Sequence, residues 1–239
     1  VWDQVSQRVT RLTDLPFAAG NSPTSLDISP DGCHAAISTF DNGVCIVDMK
    51  TGRIAAKLDI PGKTVRFSES GDLLACGTGD GRVLLYSVPD YSLHTSIEVD
   101  DRLVDCVDVS SDGRWVAAVG FDRYVKLYSR ATERLSSFPQ RLAAFPCLVR
   151  FSPDGERLMT GSVDGKVQLW IRETGDLTMS WQFPAASWPA GEFSRDGESI
   201  VVSGVNLAHA MHAPHADRLR PLSIAVLRSR ACQQAPGER

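Results

Sequence analysis

The feature that most constrains this chain is a glycine that returns on a fixed period, at Gly32, Gly71, Gly113, Gly155 and Gly197, at intervals of 39, 42, 42 and 42 residues. A period of that length makes each unit one supersecondary motif, which buries its apolar face only by stacking on its neighbours. The glycine closes a short repeated segment: Ile28 to Gly32, Phe67 to Gly71, Val109 to Gly113, Phe151 to Gly155 and Phe193 to Gly197. Nine residues beyond the first four glycines stand Asp41, Asp80, Asp122 and Asp164, with Asn206 in the fifth unit. Six residues further come Val47, Tyr86, Tyr128 and Trp170, each ending an apolar run. Two landmarks in register with the glycine make a chance period untenable.

Each unit reads as strands and tight turns. In the fourth, Cys147 to Ser152 forms strand a, Pro153-Asp154-Gly155 a turn and Arg157 to Ser162 strand b. Val163-Asp164-Gly165 is a second turn, Lys166 to Ile171 strand c, and strand d lies near Asp176 to Trp181. No segment is long and periodic enough for a crossover helix, which excludes parallel βαβ units in favour of antiparallel four-stranded meanders. Such sheets, rich in Val, Ile, Leu, Ala and Cys, cover one another when stacked radially, so the expected fold is an all-β propeller of four-stranded antiparallel blades.

The best unit, with Phe151-Ser152-Pro153-Asp154-Gly155, Gly161-Ser162-Val163-Asp164-Gly165 and Val167-Gln168-Leu169-Trp170, resembles the WD-repeat family. The resemblance spans about residues 1 to 204. It departs from the family in lacking the Gly-His dipeptide before strand a. The strand-b Ser or Thr is met only by Thr160, with Ile37, Cys76 and Ala118 in the other units. The family's internal Asp, His, Ser/Thr and Trp network is therefore complete in no blade, which implies looser blades on the same fold.

The expected organisation is a partial blade over 1–20, blades over about 21–60, 61–101, 102–143 and 144–186, and a partial blade over 187–204. An irregular arginine-containing tail, with at most one extra strand near Pro221 to Leu227, would follow over 205–239. Trp2-Asp3 reads as the end of a strand c and Arg8 to Leu12 as a strand d, whereas the fifth unit shows strands a and b without a tidy strand c. Either the two termini complete one shared blade and close the ring, or the chain is a segment of a longer propeller. The second is preferred, because the resemblance favours seven blades and the chain begins inside one.

Lys plus Arg total 25 and Asp plus Glu 29, a net charge of −4, so the electrostatic footprint of a nucleic-acid binder is missing. The tail carries about +3 of this and the repeats about −7. No run approaches the ~20 apolar residues of a membrane span, and no signal-peptide pattern opens the chain. The expected location is intracellular, in cytoplasm or nucleus. The six cysteines have no Cys-x-x-Cys pair and read as reduced apolar side chains.

No catalytic residue, metal site or cofactor is expected. Asp31, Asp112, Asp154 and Asp196 sit beside glycine in tight turns, and Asp41, Asp80, Asp122 and Asp164 hold the b to c turns, where a short acceptor bonds its own backbone. His209, His212 and His215 share a spacing suited to a helix that Pro214 interrupts, and read as a mobile histidine-bearing tail. Gly77-Thr78-Gly79-Asp80-Gly81 links two strands, whereas a phosphate cradle needs a helix N-terminus.

Phe40 and Phe121 each precede the aspartate of a b to c turn, a position that in the WD-repeat family faces partners. With Val163 at the same place in the next unit, they are the expected partner contacts, rimmed by Arg82, Arg102, Arg123 and Arg141, residue types common at binding hot spots. The expected function is a non-catalytic scaffold that presents loops to a protein or peptide partner, with no small-molecule substrate, no membrane and no direct nucleic-acid ligand. The alternatives are a propeller enzyme with a site in the central channel, or a purely structural segment of a larger multi-propeller protein.

Overall fold

The computed structural model describes residues 2–3, 8–9, 22–39, 43–183, 190–204, 207–212 and 225–227. They form strands joined by turns, without a helix among them. Strands β1 (Trp2–Asp3) and β2 (Arg8–Val9) pair with each other.

Five antiparallel four-stranded sheets follow. The first comprises β3 (Pro23–Ile28), β4 (His34–Thr39), β5 (Gly43–Asp48) and β6 (Ile54–Leu58). The second comprises β7 (Gly62–Phe67), β8 (Leu73–Thr78), β9 (Arg82–Ser87) and β10 (Leu93–Glu98). Strands β11 (Val104–Val109), β12 (Trp115–Gly120), β13 (Val125–Ser129) and β14 (Arg134–Ser137) make the third. Strands β15 (Pro146–Phe151), β16 (Arg157–Ser162), β17 (Lys166–Ile171) and β18 (Leu177–Gln182) make the fourth. The fifth has β19 (Ala190–Phe193), β20 (Ser199–Gly204), β21 (Leu207–His212) and β22 (Ala225–Leu227). Strand order within each sheet is sequence order, the meander read from the repeat.

The period has a local chemical cause. In every a to b turn a serine (Ser29, Ser68, Ser110, Ser152, Ser194) accepts through Oγ the backbone N–H five residues on, at 2.8–3.1 Å. Its hydroxyl also lies within bonding reach of a turn aspartate, at Asp31, Asp72, Asp112, Asp154 and Asp196. Asp31, Asp112, Asp154 and Asp196 each accept the N–H two residues on as well. The serine and aspartate thus satisfy donors that a two-strand reversal would otherwise leave open.

Four apolar clusters hold the sheets together, and each is shared by two successive sheets. One joins Ala36, Ile46 and Leu58 to Leu74, Leu84 and Tyr86, and another joins Leu85 and Ile97 to Val107, Val116 and Tyr128. The third joins Leu127 and Phe138 to Val149, Leu158 and Trp170, and the last joins Met159 and Leu169 to Ile200 and Val202. The first strands β3, β7, β11, β15 and β19 touch in succession and make the inner wall. In the outermost blade face Leu26 and Ile28 of β3 are exposed, whereas Val65 and Phe67 at the same places in β7 are buried.

The fifth sheet departs from the sequence reading. The sequence shows no tidy strand c there and offers one extra strand near Pro221 to Leu227; the structure supplies Leu207–His212 as third strand and Ala225–Leu227 as fourth. The cause is a one-residue slip. Leu158 pairs with Trp170, twelve residues on, whereas the equivalent Ile200 pairs with Met211, eleven on. The shorter reversal moves the strand-end landmark by one position. Among the described residues β21 and β22 complete this sheet, and β1 and β2 pair as a separate two-stranded sheet.

Candidate functional site

The sheet ends where b meets c, and where d leads to the next a, carry a cluster of cationic and aromatic side chains. The Arg102 guanidinium lies 4.3 Å from the Phe121 ring centroid, and Phe121 stacks against Phe145 at 5.0 Å with a 40° tilt. Arg123 lies 5.7 Å from the Phe145 ring, while Arg141 and Lys126 lie 5.9 and 5.6 Å from Tyr124. Such contacts contribute about 0.5–1 kcal/mol each at exposed sites. Arg102 and Arg141 are exposed, Phe145 is 43% exposed, and Phe121 is half-buried.

Backbone and carboxylate bonds fix the three contributing segments. Asp100 accepts N–H bonds from Arg102 at 3.1 Å and from Asp122 at 2.8 Å. Burial pushes the Asp100 carboxyl above its ordinary range, and those two bonds only partly oppose it. Arg123 Nη1 donates to the Ala143 carbonyl and Arg141 Nε to the Asp122 carbonyl, both at 2.8 Å. Val163 N donates to the Phe145 carbonyl at 2.9 Å, which brings the fourth sheet's turn alongside.

Arg123 itself is held at φ +66°, where the equivalent residues of two other b to c turns are Gly81 at +88° and Gly165 at +82°. A side chain in this left-handed region costs roughly 1–2 kcal/mol. The Nε–H of Arg123 is also buried without an acceptor among the described residues. Strain and an unpaired donor coincide at one residue of the cluster.

Of the residues expected at a partner surface, the structure gathers Phe121, Arg102, Arg123 and Arg141, with Val163 adjoining. Arg82 is instead taken up by Asp80 of its own turn, at 2.5 and 3.1 Å, and these bonds hold the Asp80 carboxyl below its usual range. Asp122 and Asp164 accept the N–H two residues on, at 2.9 and 3.2 Å. Phe40 and Asp41 lie outside the described residues. Phe145 and Tyr124 were missed, although each is an aromatic residue in a connection, the criterion that singled out Phe121.

A second assembly lies on the inner wall, at the residue five before each repeat glycine: Asp27, Arg66, Asp108, Arg150 and Glu192, one per first strand. Arg66 Nε donates to Asp108 at 2.9 Å and Nη2 to Glu192 at 2.5 Å, while Nη1 stands 3.6 Å from Asp27. Arg150 Nε reaches the same Oε1 of Glu192 at 2.9 Å. The second oxygens of Asp27 and Asp108 each accept the N–H of a phenylalanine in the next sheet, Phe67 and Phe151, at 2.7 Å. Burial raises the Asp27 carboxyl despite Arg66. At Glu192 burial is outweighed by Arg150 and Arg66, and the carboxyl falls below its usual range. Above this belt, at the a to b turn end, opens a cavity of about 660 Å³.

Within the fourth sheet Trp170 Nε1 donates to Thr160 Oγ1 at 2.9 Å, with both residues buried. This is the part of the WD-repeat polar network that the sequence retains.

Comparison with known proteins agrees with this geometry. The family model described as WD domain, G-beta repeat matches residues 91–129 and 146–170. Periodic tryptophan protein 2 of Saccharomyces cerevisiae is 30% identical over 115 residues, covering 47% of this chain and 12% of that protein. A WD repeat-containing protein of Schistosoma mansoni is 28% identical over 158 residues, 65% of this chain and 52% of the other. Subunit I of eukaryotic translation initiation factor 3 from Emericella nidulans is 33% identical over 102 residues, 42% of this chain and 30% of that protein. The chain thus spans at most about half the length of these relatives. The β-propeller domain of Myceliophteria thermophila Cps50 (Swd1) superposes with a TM-score of 0.73 at 17% identity, over 85% of this chain and 69% of that one. Five meander sheets in succession, a repeat of serine and aspartate turns and these matches show a β-propeller fold that carries WD-domain G-beta repeats at residues 91–129 and 146–170.

Proposed function

We propose that this chain is a non-catalytic scaffold whose b to c and d to a loops, gathered around Phe121, dock a protein or peptide partner within a larger complex. The observation that carries this reading is the cluster of Arg102, Phe121, Arg123, Tyr124, Arg141 and Phe145. Its exposed cations and aromatics are of the kinds enriched at hot spots, on loops that a rigid stack of sheets holds in place. Strain at Arg123 supports it, because glycine would serve the turn better and is used there by two other sheets.

A central enzymatic site is disfavoured by the inner belt. Asp108 and Glu192 are each committed to arginine, and Asp27 to a backbone N–H, which leaves these carboxylates poorly placed as general acid or base. No helix among the described residues is long and apolar enough to cross a membrane. We assign the scaffold to the cytoplasm or nucleus, without a nucleic acid or small molecule as direct ligand.

The test is affinity capture from cell lysate with wild type and an Arg102→Ala/Phe121→Ala variant of equal melting temperature. Loss of a captured protein from the variant is expected. Capture of the same proteins in the same amounts by both would overturn the assignment.

A further inference from the structure

We infer that the segment docking at the Phe121 loops is acidic, an extended peptide whose Asp or Glu carboxylates take the guanidinium edges of Arg102, Arg123 and Arg141. The inference rests on the docking surface proposed above and names the chemistry of what it holds.

Three arginines meet in this cluster, and none of them forms an ion pair among the described residues. The carboxylates of the same loops are engaged by other donors. Both oxygens of Asp100 accept backbone N–H groups, from Arg102 and from Asp122. Asp122 binds Lys126 Nζ at 2.7 Å and the Tyr124 N–H at 2.9 Å. The b to c turn of the second sheet takes the other course, with Asp80 closing on Arg82. Arg123 stays open because the aspartate of its own turn binds a lysine.

Each guanidinium is instead held over a ring, Arg102 at Phe121, Arg123 at Phe145 and Arg141 at Tyr124. A ring covers a guanidinium face and leaves the edges, where the N–H donors lie, to grip a carboxylate. Arg123 gives Nη1 to the Ala143 carbonyl, and its Nε–H is buried without an acceptor among the described residues. An orphaned donor is destabilising, and turning the Nε and Nη2 edge toward a carboxylate relieves it with two parallel bonds. Arg141 gives Nε to the Asp122 carbonyl and keeps its two terminal nitrogens.

The rings favour a peptide over a nucleic acid. Phe121 contacts both Arg102, at 4.3 Å, and Phe145, at 5.0 Å, which leaves little ring face for a base to stack on. Asp100, Asp101 and Asp122 stand in the same loops, and the chain carries a net charge of −4, which opposes a polyphosphate more than it opposes single carboxylates. Phe145, 43% exposed, offers an apolar side chain a seat between the acidic ones.

The test is fluorescence anisotropy of the 239-residue chain with fluorescein-labelled Glu-Glu-Leu-Glu-Glu. Wild type should bind it, and Arg102→Gln and Arg141→Gln should each bind about tenfold more weakly, the loss of one charge-assisted bond. Arg82→Gln, whose arginine is already taken by Asp80, should match wild type. Gln-Gln-Leu-Gln-Gln should not bind. Absence of acidic-peptide binding up to about 1 mM, or equal binding by Arg102→Gln/Arg141→Gln, overturns the proposal. Displacement by equimolar inorganic phosphate overturns the carboxylate in favour of a phosphate, and tighter binding of an oligouridylate overturns the peptide in favour of RNA. Misfolding cannot mimic the matching gain: Arg102→Glu/Arg141→Glu should bind Lys-Lys-Leu-Lys-Lys, and failure to do so at an unchanged melting midpoint contradicts the charge reading. Lysate capture separates this inference from the docking surface. A partner lost from Phe121→Ala but kept by Arg102→Gln/Arg141→Gln leaves the surface standing and overturns the acidic segment, whereas one kept by both variants overturns the surface itself.

Discussion

Replacing Asp108 by alanine should destabilise the protein far more than replacing Asp27, although the two occupy equivalent positions in their sheets. Each carboxylate accepts one backbone N–H of the next sheet at 2.7 Å. Leaving such a buried donor without an acceptor costs about 1–3 kcal/mol. The difference lies in Arg66, which bonds Asp108 at 2.9 Å and stands 3.6 Å from Asp27. The Asp108 side chain is 9% exposed and that of Asp27 is 19% exposed. Breaking a buried pair costs about 3–5 kcal/mol, reduced here because Glu192 still serves Arg66, whereas a long and more exposed pair is worth about 0–1 kcal/mol. The totals are about 4 kcal/mol for Asp108→Ala and about 2 kcal/mol for Asp27→Ala. Equilibrium urea unfolding followed by tryptophan fluorescence measures both, and with a slope near 3 kcal/mol/M the larger loss moves the midpoint by roughly 1.3 M. A double-mutant cycle with Arg66→Met should return a coupling of about 2 kcal/mol to Asp108 and under about 1 to Asp27. Equal losses for the two aspartates, or a cost below about 1 kcal/mol for Asp108→Ala, would refute the inner belt as a stabilising element.

Thr160→Val keeps the shape of the side chain but strips the Trp170 indole N–H of its acceptor, and should cost about 1–3 kcal/mol in the same unfolding assay. Arg123→Gly relieves roughly 1–2 kcal/mol of left-handed strain and forfeits one hydrogen bond worth about 0.5–1.5 kcal/mol. Its stability should therefore stay within about 1 kcal/mol of wild type while partner capture falls. Glu192 ionises more readily in the folded protein, so its contribution is full above the unfolded value near 4.3 and is lost as pH falls through the lower folded value. The melting-temperature difference between wild type and Glu192→Gln should accordingly be full at pH 7 and begin to shrink only as the pH falls below about 4.3, towards the lower folded value.

The features legible in the sequence were those that a tight turn imposes on residue type. The serine, aspartate and glycine of each a to b reversal satisfy specific backbone donors, so they recur as identities and reveal the period. Phe121 was legible because a large apolar side chain in a turn gains little from the fold, and the same reasoning extends to Phe145 in the connection before β15. The inner belt escaped because its five positions keep charge but not sign or type. A search for one repeated residue passes over Asp27, Arg66, Asp108, Arg150 and Glu192, though all stand five before the glycine. Arg82 differs from the others: its place beyond a b to c turn marked it as a rim cation, and Asp80 two residues away binds it. The third strand of the fifth sheet escaped because a reversal one residue shorter put Met211 where an aromatic landmark was sought one place later.

The most direct test of the scaffold reading is hydrogen–deuterium exchange of the chain with and without the partner captured by wild type. Slowed exchange confined to about residues 100–103, 121–124 and 141–145, with the a to b turns unchanged, is the predicted result. Protection at the a to b turns alone, or none at the Phe121 loops, would contradict it.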